Sequence, residues 1–299
     1  MAKSYFSYYP QIQYQLDSSG PRTVLDITRR VAFKAALKQI GALYLNYSIK
    51  DEDTPETIAY KLYQSAQYYW VVLLFNNILD PYLDWPLSTN NFTQYITAKY
   101  PGQALIFPHS NFIISDVWVS PARLFPVGSI VSQVQGGSTL TATVSSWDPT
   151  YGVLIVNNLL LDGTASSLAS FIAGTAVTLK DELGNAFSII PTRLVTNASN
   201  AIHHFEFLNG KILDPLAEVP YTDELTGLQV QPTIPNTSLV GYSSIQNTYA
   251  NSGNLDATIL TQVSLYDYED SLNESKRNIQ LLRSDFLAPV LQQLETIFN

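Results

Sequence analysis

Apolar and polar positions follow different periods along this chain, and the changes of period divide it. Residues 27–45 carry Ile27, Val31 and Ala35 at spacings that suit a short helix, and residues 43–49 alternate as a strand does. Asp53-Thr54-Pro55-Glu56 reads as a helix start. It offers a side-chain cap, a proline in the first turn and an acid near the positive end of the dipole. Ile58, Leu62 and Tyr63 give that helix one apolar side. A second helix is predicted over residues 66–76, and its Tyr68-Tyr69-Trp70-Val71-Val72-Leu73-Leu74-Phe75 run is apolar all round. A helix with one buried side shows a stripe instead, so its far side is expected to meet another domain or another chain. Asn76-Asn77 and Asp80-Pro81 stop it. After Trp85-Pro86-Leu87 a third helix is predicted over residues 91–100, and Pro101-Gly102 turns the chain into a strand at 104–107.

The texture changes near residue 121. Short strands are predicted at 130–134, 140–144, 153–156, 176–179 and 187–190. They are punctuated by Gly136-Gly137, Asp148-Pro149 through Gly152, Asp162-Gly163 and Leu183-Gly184-Asn185. Such a series suggests a small all-β barrel or sandwich. Residues 209–256 show little periodicity, and so long an irregular stretch reads as an arm ordered by a partner. Ser271-Leu272-Asn273-Glu274 is a capping-box pattern, from which a C-terminal helix is expected to carry Ile279, Leu282 and Phe286 on one face. A restart at Ser284 or Asp285 puts Pro289 in or just after a first turn, where proline is tolerated; Leu291, Leu294 and Phe298 continue the apolar edge.

Composition adds a second theme. Only 14% of the 299 residues are charged, against about 25% in an ordinary chain, and 19 are tyrosine. Interfaces are depleted in Lys, Glu and Asp and enriched in Tyr, so much of the surface suits cover by neighbours; a neutral polar surface of no special meaning fits equally well. A net charge of −9 gives no general attraction to nucleic acid or anionic lipid. No cysteine is present, which removes disulfides and thiolate chemistry. The N-terminus lacks a basic region followed by an apolar run, and the longest apolar stretch, 68–79, is too short to span a bilayer. A soluble chain made in the cytoplasm, with no membrane partner, is the expectation.

Chemistry is sparse. His203-His204 on a strand would direct its rings to opposite faces, and zinc would need further ligands from a distance, so a metal-free pair is expected. Asp51-Glu52-Asp53 lacks the alternating acids and central glycine of a calcium loop and reads as a turn into a helix cap. There is no phosphate loop or nucleophile elbow. Between 121 and 195 the basic residues are Arg123, Lys180 and Arg193 against four acids, too little positive charge for a single-strand groove. No catalytic residue, metal or cofactor is predicted, and the chain does not read as an enzyme.

Three stretches together resemble a known family. They are Asp26-Ile27-Thr28-Arg29-Arg30, then Asp53-Thr54-Pro55-Glu56-Thr57-Ile58-Ala59, then Trp70 through Ile78 with Asp80-Pro81 and Trp85-Pro86-Leu87. They are similar to the baseplate wedge protein 53 family of T4-like contractile-tailed phages. Tyr5-Phe6-Ser7-Tyr8 and Asn273-Glu274-Ser275-Lys276-Arg277-Asn278-Ile279 fit its ends.

The resemblance implies an α+β multidomain chain. Residues 1–108 would hold an N-terminal segment and a LysM-like strand–helix–helix–strand core; 109–202 would be an inserted small β-barrel; 203–299 would bring a return strand, an extended arm and C-terminal helices. It implies a structural subunit of the virion baseplate, assembled in the host cytoplasm. Its partners would be other wedge proteins and neighbouring wedges, with six copies around a six-fold ring. Tyr68, Tyr69, Trp70, Leu74, Phe75, Asn76, Asn77 and Trp85 are the candidate interface residues. The alternative is a LysM-type module binding peptidoglycan or chitin through Asp51, Asp53, Thr54, Asn77 and Asp80. Glu52, standing where a glycine commonly precedes Asp-Thr, argues against it.

Overall fold

The computed structural model describes residues 5–15, 20–29, 31–33, 39–107, 125–149, 151–166, 168–180, 186–207, 210, 212, 221–222, 229–230 and 260–298. The predicted arm at 209–256 lies almost entirely outside them. The chain divides into two compact units, one formed by 1–92 with 271–299 and the other by 93–270.

The first unit opens with a 3-10 turn, Tyr5–Tyr8, and a hairpin of β1 (Gln11–Tyr14) and β2 (Arg22–Leu25). β3 (Tyr44–Ser48) follows, then α1 (Pro55–Tyr63), α2 (Tyr69–Phe75), the single turn α3 (Pro81–Asp84) and α4 (Thr89–Lys99), which runs on into the second unit. α1 starts as its sequence demands. The Thr54 hydroxyl accepts from Thr57 N at 3.2 Å and the Thr57 hydroxyl accepts from Thr54 N at 2.8 Å, a capping box closed by threonine rather than glutamate. Pro55 fills the first helical position, where no N–H is needed. The helix ends on left-handed Gln64.

The second unit contains β4 (Gln103–Ile106), β5 (Ile130–Gln135), β6 (Ser138–Asp148), β7 (Val153–Leu161), β8 (Thr164–Ala165), β9 (Val177–Lys180), β10 (Ala186–Ile189) and β11 (Arg193–Val195). They form one antiparallel sheet in the order β10-β9-β5-β6-β7-β4-β11, with β8 beside β7. The predicted strands are all there. The sheet is an open half-barrel, with β10 and β11 as its ends, rather than a closed barrel. Residues 104–106 of β4 and 153–156 of β7 are apolar without a break because both faces are covered. Leu105, Leu154 and Val156 enter a core with Phe107, Phe125 and Phe171, while Ala104, Ile106, Val153 and Ile155 enter another with Ala198, Ala201 and Ile202. Doubly buried strands read as continuous apolar runs.

β12 (Ile202–Phe207), the short pair β13 (Tyr221–Thr222) and β14 (Gln229–Val230), β15 (Leu260–Ser264) and α5 (Leu265–Ser275) complete the sequence of this unit and lead out of it. β12 pairs with β15 through a bulge between Ile202 and His204. The bulge overturns the expectation that the two histidines face opposite ways: their Nδ1 atoms approach to 2.6 Å.

Back in the first unit come β16 (Asn278–Leu282) and α6 (Leu287–Phe298). Ser271 to Glu274 lie in the last turns of α5 rather than at a helix start, and Ile279 and Leu282 belong to a strand. β16 runs antiparallel to β3, with Ile279 opposite Tyr47 and Leu281 opposite Leu45. The restart at 284 and the place of Pro289 in the first turn of α6 agree with the expectation.

Candidate interaction site

The residues singled out in the sequence converge on the first unit, and most of them bind it to itself. Trp70 and Phe75 are 4% and 1% exposed, and Val71 and Val72 are fully buried beside them. Tyr5 and Tyr8 lie 5.1 and 5.9 Å from the Trp70 ring, and Phe33 meets Phe75 edge-on at 5.1 Å. β16 and α1 pack on the same helix. α2 is therefore apolar on every face because its own unit wraps it, with no second chain required to explain the pattern. Tyr68, Tyr69 and Leu74 stay half-buried at the margin of this core.

Asn76 and Tyr63 close one edge of the β3–β16 pair. Asn76 donates to Gln280 O at 2.7 Å and accepts from Gln280 N at 2.9 Å, and Tyr63 donates to Leu282 O at 2.7 Å. Burial pushes the Tyr63 hydroxyl well above its ordinary pKa. Asn77 takes a left-handed φ of 57°, a conformation asparagine tolerates better than most residues.

The turn before α1 is a second node. Asp53 is buried; its carboxylate receives Lys61 Nζ and the Tyr47 hydroxyl, each at 2.6 Å, and Lys50 N at 3.0 Å. Burial raises the pKa of this acid, but Lys61, Tyr47 and the backbone donor outweigh it and hold the group below its usual value. Trp85 Nε1 donates to Asp53 O at 3.1 Å. Asp51 accepts from Thr89 N and from the Thr89 hydroxyl, and pairs with Arg277 at 2.8 Å. Arg277 also reaches Glu274 at 2.6 Å and the carbonyls of Ile49 and Leu87. Asn273 makes a reciprocal pair with the Leu87 backbone, at 2.7 and 3.1 Å, and Lys276 donates to Leu83 O. Residues 48–89 and 273–282 are thus stitched together by side chains across nearly two hundred positions of sequence. Reading the chain locally missed the roles of Asn273, Arg277 and Gln280. The available signal was the period-two pattern Asn278-Ile279-Gln280-Leu281.

The candidate glycan loops are spent in the same way. Thr54 caps α1, and Asp80 Oδ1 accepts from Tyr82 N at 2.9 Å to cap α3. Beside exposed Asn77, Asp80 and Asp84 the segment presents large apolar side chains to solvent: Leu79, Tyr82 and Leu83 are 64%, 92% and 69% exposed. Among the described residues no group of three or more His, Asp or Glu is placed to hold a metal ion, and no helix is long and apolar enough to cross a membrane.

Residues 48–89 of the stitched region lie within a match to known proteins, and residues 273–282 lie outside it. Residues 6–105 fit the family described as base plate wedge protein 53. The baseplate wedge protein gp53 of Enterobacteria phage T4 is 33% identical over 101 residues, covering 32% of this chain and 50% of the phage protein. The chain spans about half the length of that curated relative. Through residues 6–105 the chain is similar to the base plate wedge protein 53 family.

Proposed function

We propose that the chain is a structural wedge subunit that holds wedge components, and neighbouring wedges, together by protein–protein contacts. The observation that carries this reading is the overlap just described. Residues 48–89, within the matched segment, are latched to residues 273–282 outside it by polar side chains, while Leu79, Tyr82 and Leu83 remain in solvent. Aromatic and aliphatic anchors on a fixed support are what a specific interface of roughly 1,200–2,000 Å² uses. In this reading residues 1–108 hold the N-terminal segment and a LysM-like core, 109–202 are an inserted β domain, and 203–299 complete the wedge fold. Tyr68, Tyr69, Leu74, Asn77 and Trp85 flank the proposed contact surface, with Trp70 and Phe75 as the core beneath it. No enzymatic step enters this reading, and six copies around a six-fold ring are its stoichiometry.

Cross-linking mass spectrometry on purified tailed particles tests it. Links from residues 50–100 and 271–298 to several other tail proteins are expected. Absence of the chain from intact particles, or links to wall glycan alone, would overturn it in favour of glycan binding.

A further inference from the structure

The β3–β16 pair has two edges, and only one is closed. Ile49 N bonds to Arg277 O and Arg283 N to Leu43 O, at 2.9 and 3.0 Å. With the strands in this register, Leu45 and Tyr47 turn their backbone groups toward β16, and Tyr44, Asn46 and Ser48 turn theirs outward. On the β16 side the outward groups of Gln280 and Leu282 are taken by Asn76 and Tyr63. On the β3 side nothing comparable is present among the described residues, and Asn46 and Ser48 are exposed. Proteins blunt open edges with lysine, proline, bulges or cover; Tyr44-Leu45-Asn46-Tyr47-Ser48 has no proline and no charge.

The same chain carries a strand suited to that edge. β1 and β2 are exposed at every position, and a two-stranded hairpin with no buried face is marginal in water. Asp26 N donates to Pro10 O at 2.9 Å, which fixes the phase of the hairpin so that Gln11 and Gln13 turn their backbone groups away from β2. The outer edge of β2 is shortened where Ile27 N folds back onto Leu25 O at 3.1 Å. β1 is therefore the open edge, four residues long against five in β3, with Ile12 and Val24 side by side on one face. Both edges lie in this one unit, yet they are not paired with each other.

We propose that β1 of one copy adds to the open edge of β3 in a second copy, making a four-stranded sheet across the boundary between neighbouring subunits. This rests on the wedge-subunit reading and names the contact by which one copy reaches the next. Gln11–Tyr14 and Tyr44–Ser48 carry no charge, so the repulsion between copies at −9 is not concentrated where the two strands would meet. The contact is head-to-tail, since β1 and β3 are different surfaces, and such contacts propagate from copy to copy until a ring closes.

The absence of cysteine from the chain makes the test direct. Tailed particles are assembled with the full-length double variant Gln11→Cys/Asn46→Cys, or with either single variant, and treated with a short bis-maleimide. A ladder of linked copies is expected from the double variant and none from the singles. Adding Asn46→Pro to a Gln11→Cys/Ser48→Cys pair should cut the ladder at least tenfold with the melting temperature unchanged. The Asn46 N–H serves no bond to β16; Asn46→Lys does the same service if proline disturbs the strand. Dimers from Asn46→Cys alone would mean that β3 pairs with itself and would overturn the proposal, as would particles that hold normal amounts of the chain yet give no ladder. The subunit reading survives both results and falls only if the chain is missing from the particles.

Discussion

Asn76 ends α2 and at the same time acts as a short artificial strand beside β16, donating to and accepting from one residue, Gln280. Replacing it by alanine leaves a backbone N–H and C=O half-buried without partners, at a cost of about 1–3 kcal/mol. Asn76→Asp restores the acceptor but not the donor and should fall between the two. Urea denaturation of the three chains measures this. Glu269 holds a comparable place in the second unit, accepting from Lys99 at 2.7 Å and from the hydroxyls of Tyr95 and Tyr100 at 3.0 and 2.8 Å. Burial raises the pKa of this acid; Lys99, Tyr100 and Tyr95 more than offset that and hold it below its ordinary 4.5. Burial, then Glu269, pushes the Tyr100 hydroxyl up to about 12. A depressed acid contributes stability in full above its unfolded value and loses it as pH falls through the folded one. Stability of the second unit should therefore decline from about pH 4.5 downward, and Glu269→Gln should flatten that slope. At neutral pH the same substitution should cost about 2 kcal/mol, since Lys99 is 43% exposed and water recovers part of its loss. Thermal melts between pH 3 and pH 7 read both effects, on the order of the shifts expected for one such group.

At the scale of elements, the half-barrel depends on close backbone approaches and on a loop plugged into its core. Gly102 has φ 89°, and a Cβ there would lie 2.0 Å from Val156 O; at Gly152, with φ 65°, it would lie 2.3 Å from Phe107 O. Gly102→Ala combines a left-handed backbone with a clash that no side chain can relieve and should cost about 3 kcal/mol or more, measured as a lowered denaturation midpoint with unchanged slope. The plug is held by glutamines. Gln133 is buried, donates to Ile172 O and Thr175 O at 2.9 Å each and accepts from Ile172 N at 2.8 Å, while Gln135 and Gln103 hold Ser170 and Ala169. Together they seat Phe171 at 1% exposure, and Phe171→Ala should cost about 3–5 kcal/mol. The strands around this loop were legible because their signals are local: Gly136-Gly137 and Asp162-Gly163 lie at the turns, between alternating or doubly buried runs. Phe171 was not legible, because glutamines read as surface residues until their partners are known. β16 was misread for a related reason. Ile279 and Leu282 stand three apart, as on a helix, and the strand that decides the matter, β3, lies more than two hundred residues earlier. The all-round apolar α2 reads in the sequence as a helix whose far side meets another domain or another chain, and its own unit covers it instead. Its cover comes from Tyr5, Tyr8, Phe33 and β16, segments that no local window joins to it.

At the scale of the molecule, the first unit is written in two pieces of sequence. Its sheet needs β16, its core needs Ile279, Leu281, Leu282 and Leu294, and its α1 turn is held through Asp51 by Arg277. The second unit lies wholly within 93–270. The units should thus respond unequally to loss of the C-terminus. A chain ending at Asp270 forfeits those four buried apolar side chains, at roughly 1.5–3 kcal/mol each. It also exposes the faces of α2 and β3 that they cover and leaves Asn76 and Tyr63 without their backbone partners. With the lost hydrogen bonds added, the sum is as large as the roughly 5–15 kcal/mol margin on which a domain typically stands. The second unit keeps both of its cores, including Phe171, Leu154 and Val153. Calorimetry on the truncated chain should therefore show one cooperative transition belonging to the half-barrel, with the transition of the first unit gone. Limited proteolysis should cut freely between residues 44 and 90 while sparing 130–195. Retention of a cooperative first unit without residues 271–299 would show that the segment shared with the wedge family folds without its C-terminal strand. The side-chain stitching described above would then be a consequence of that fold rather than a condition for it.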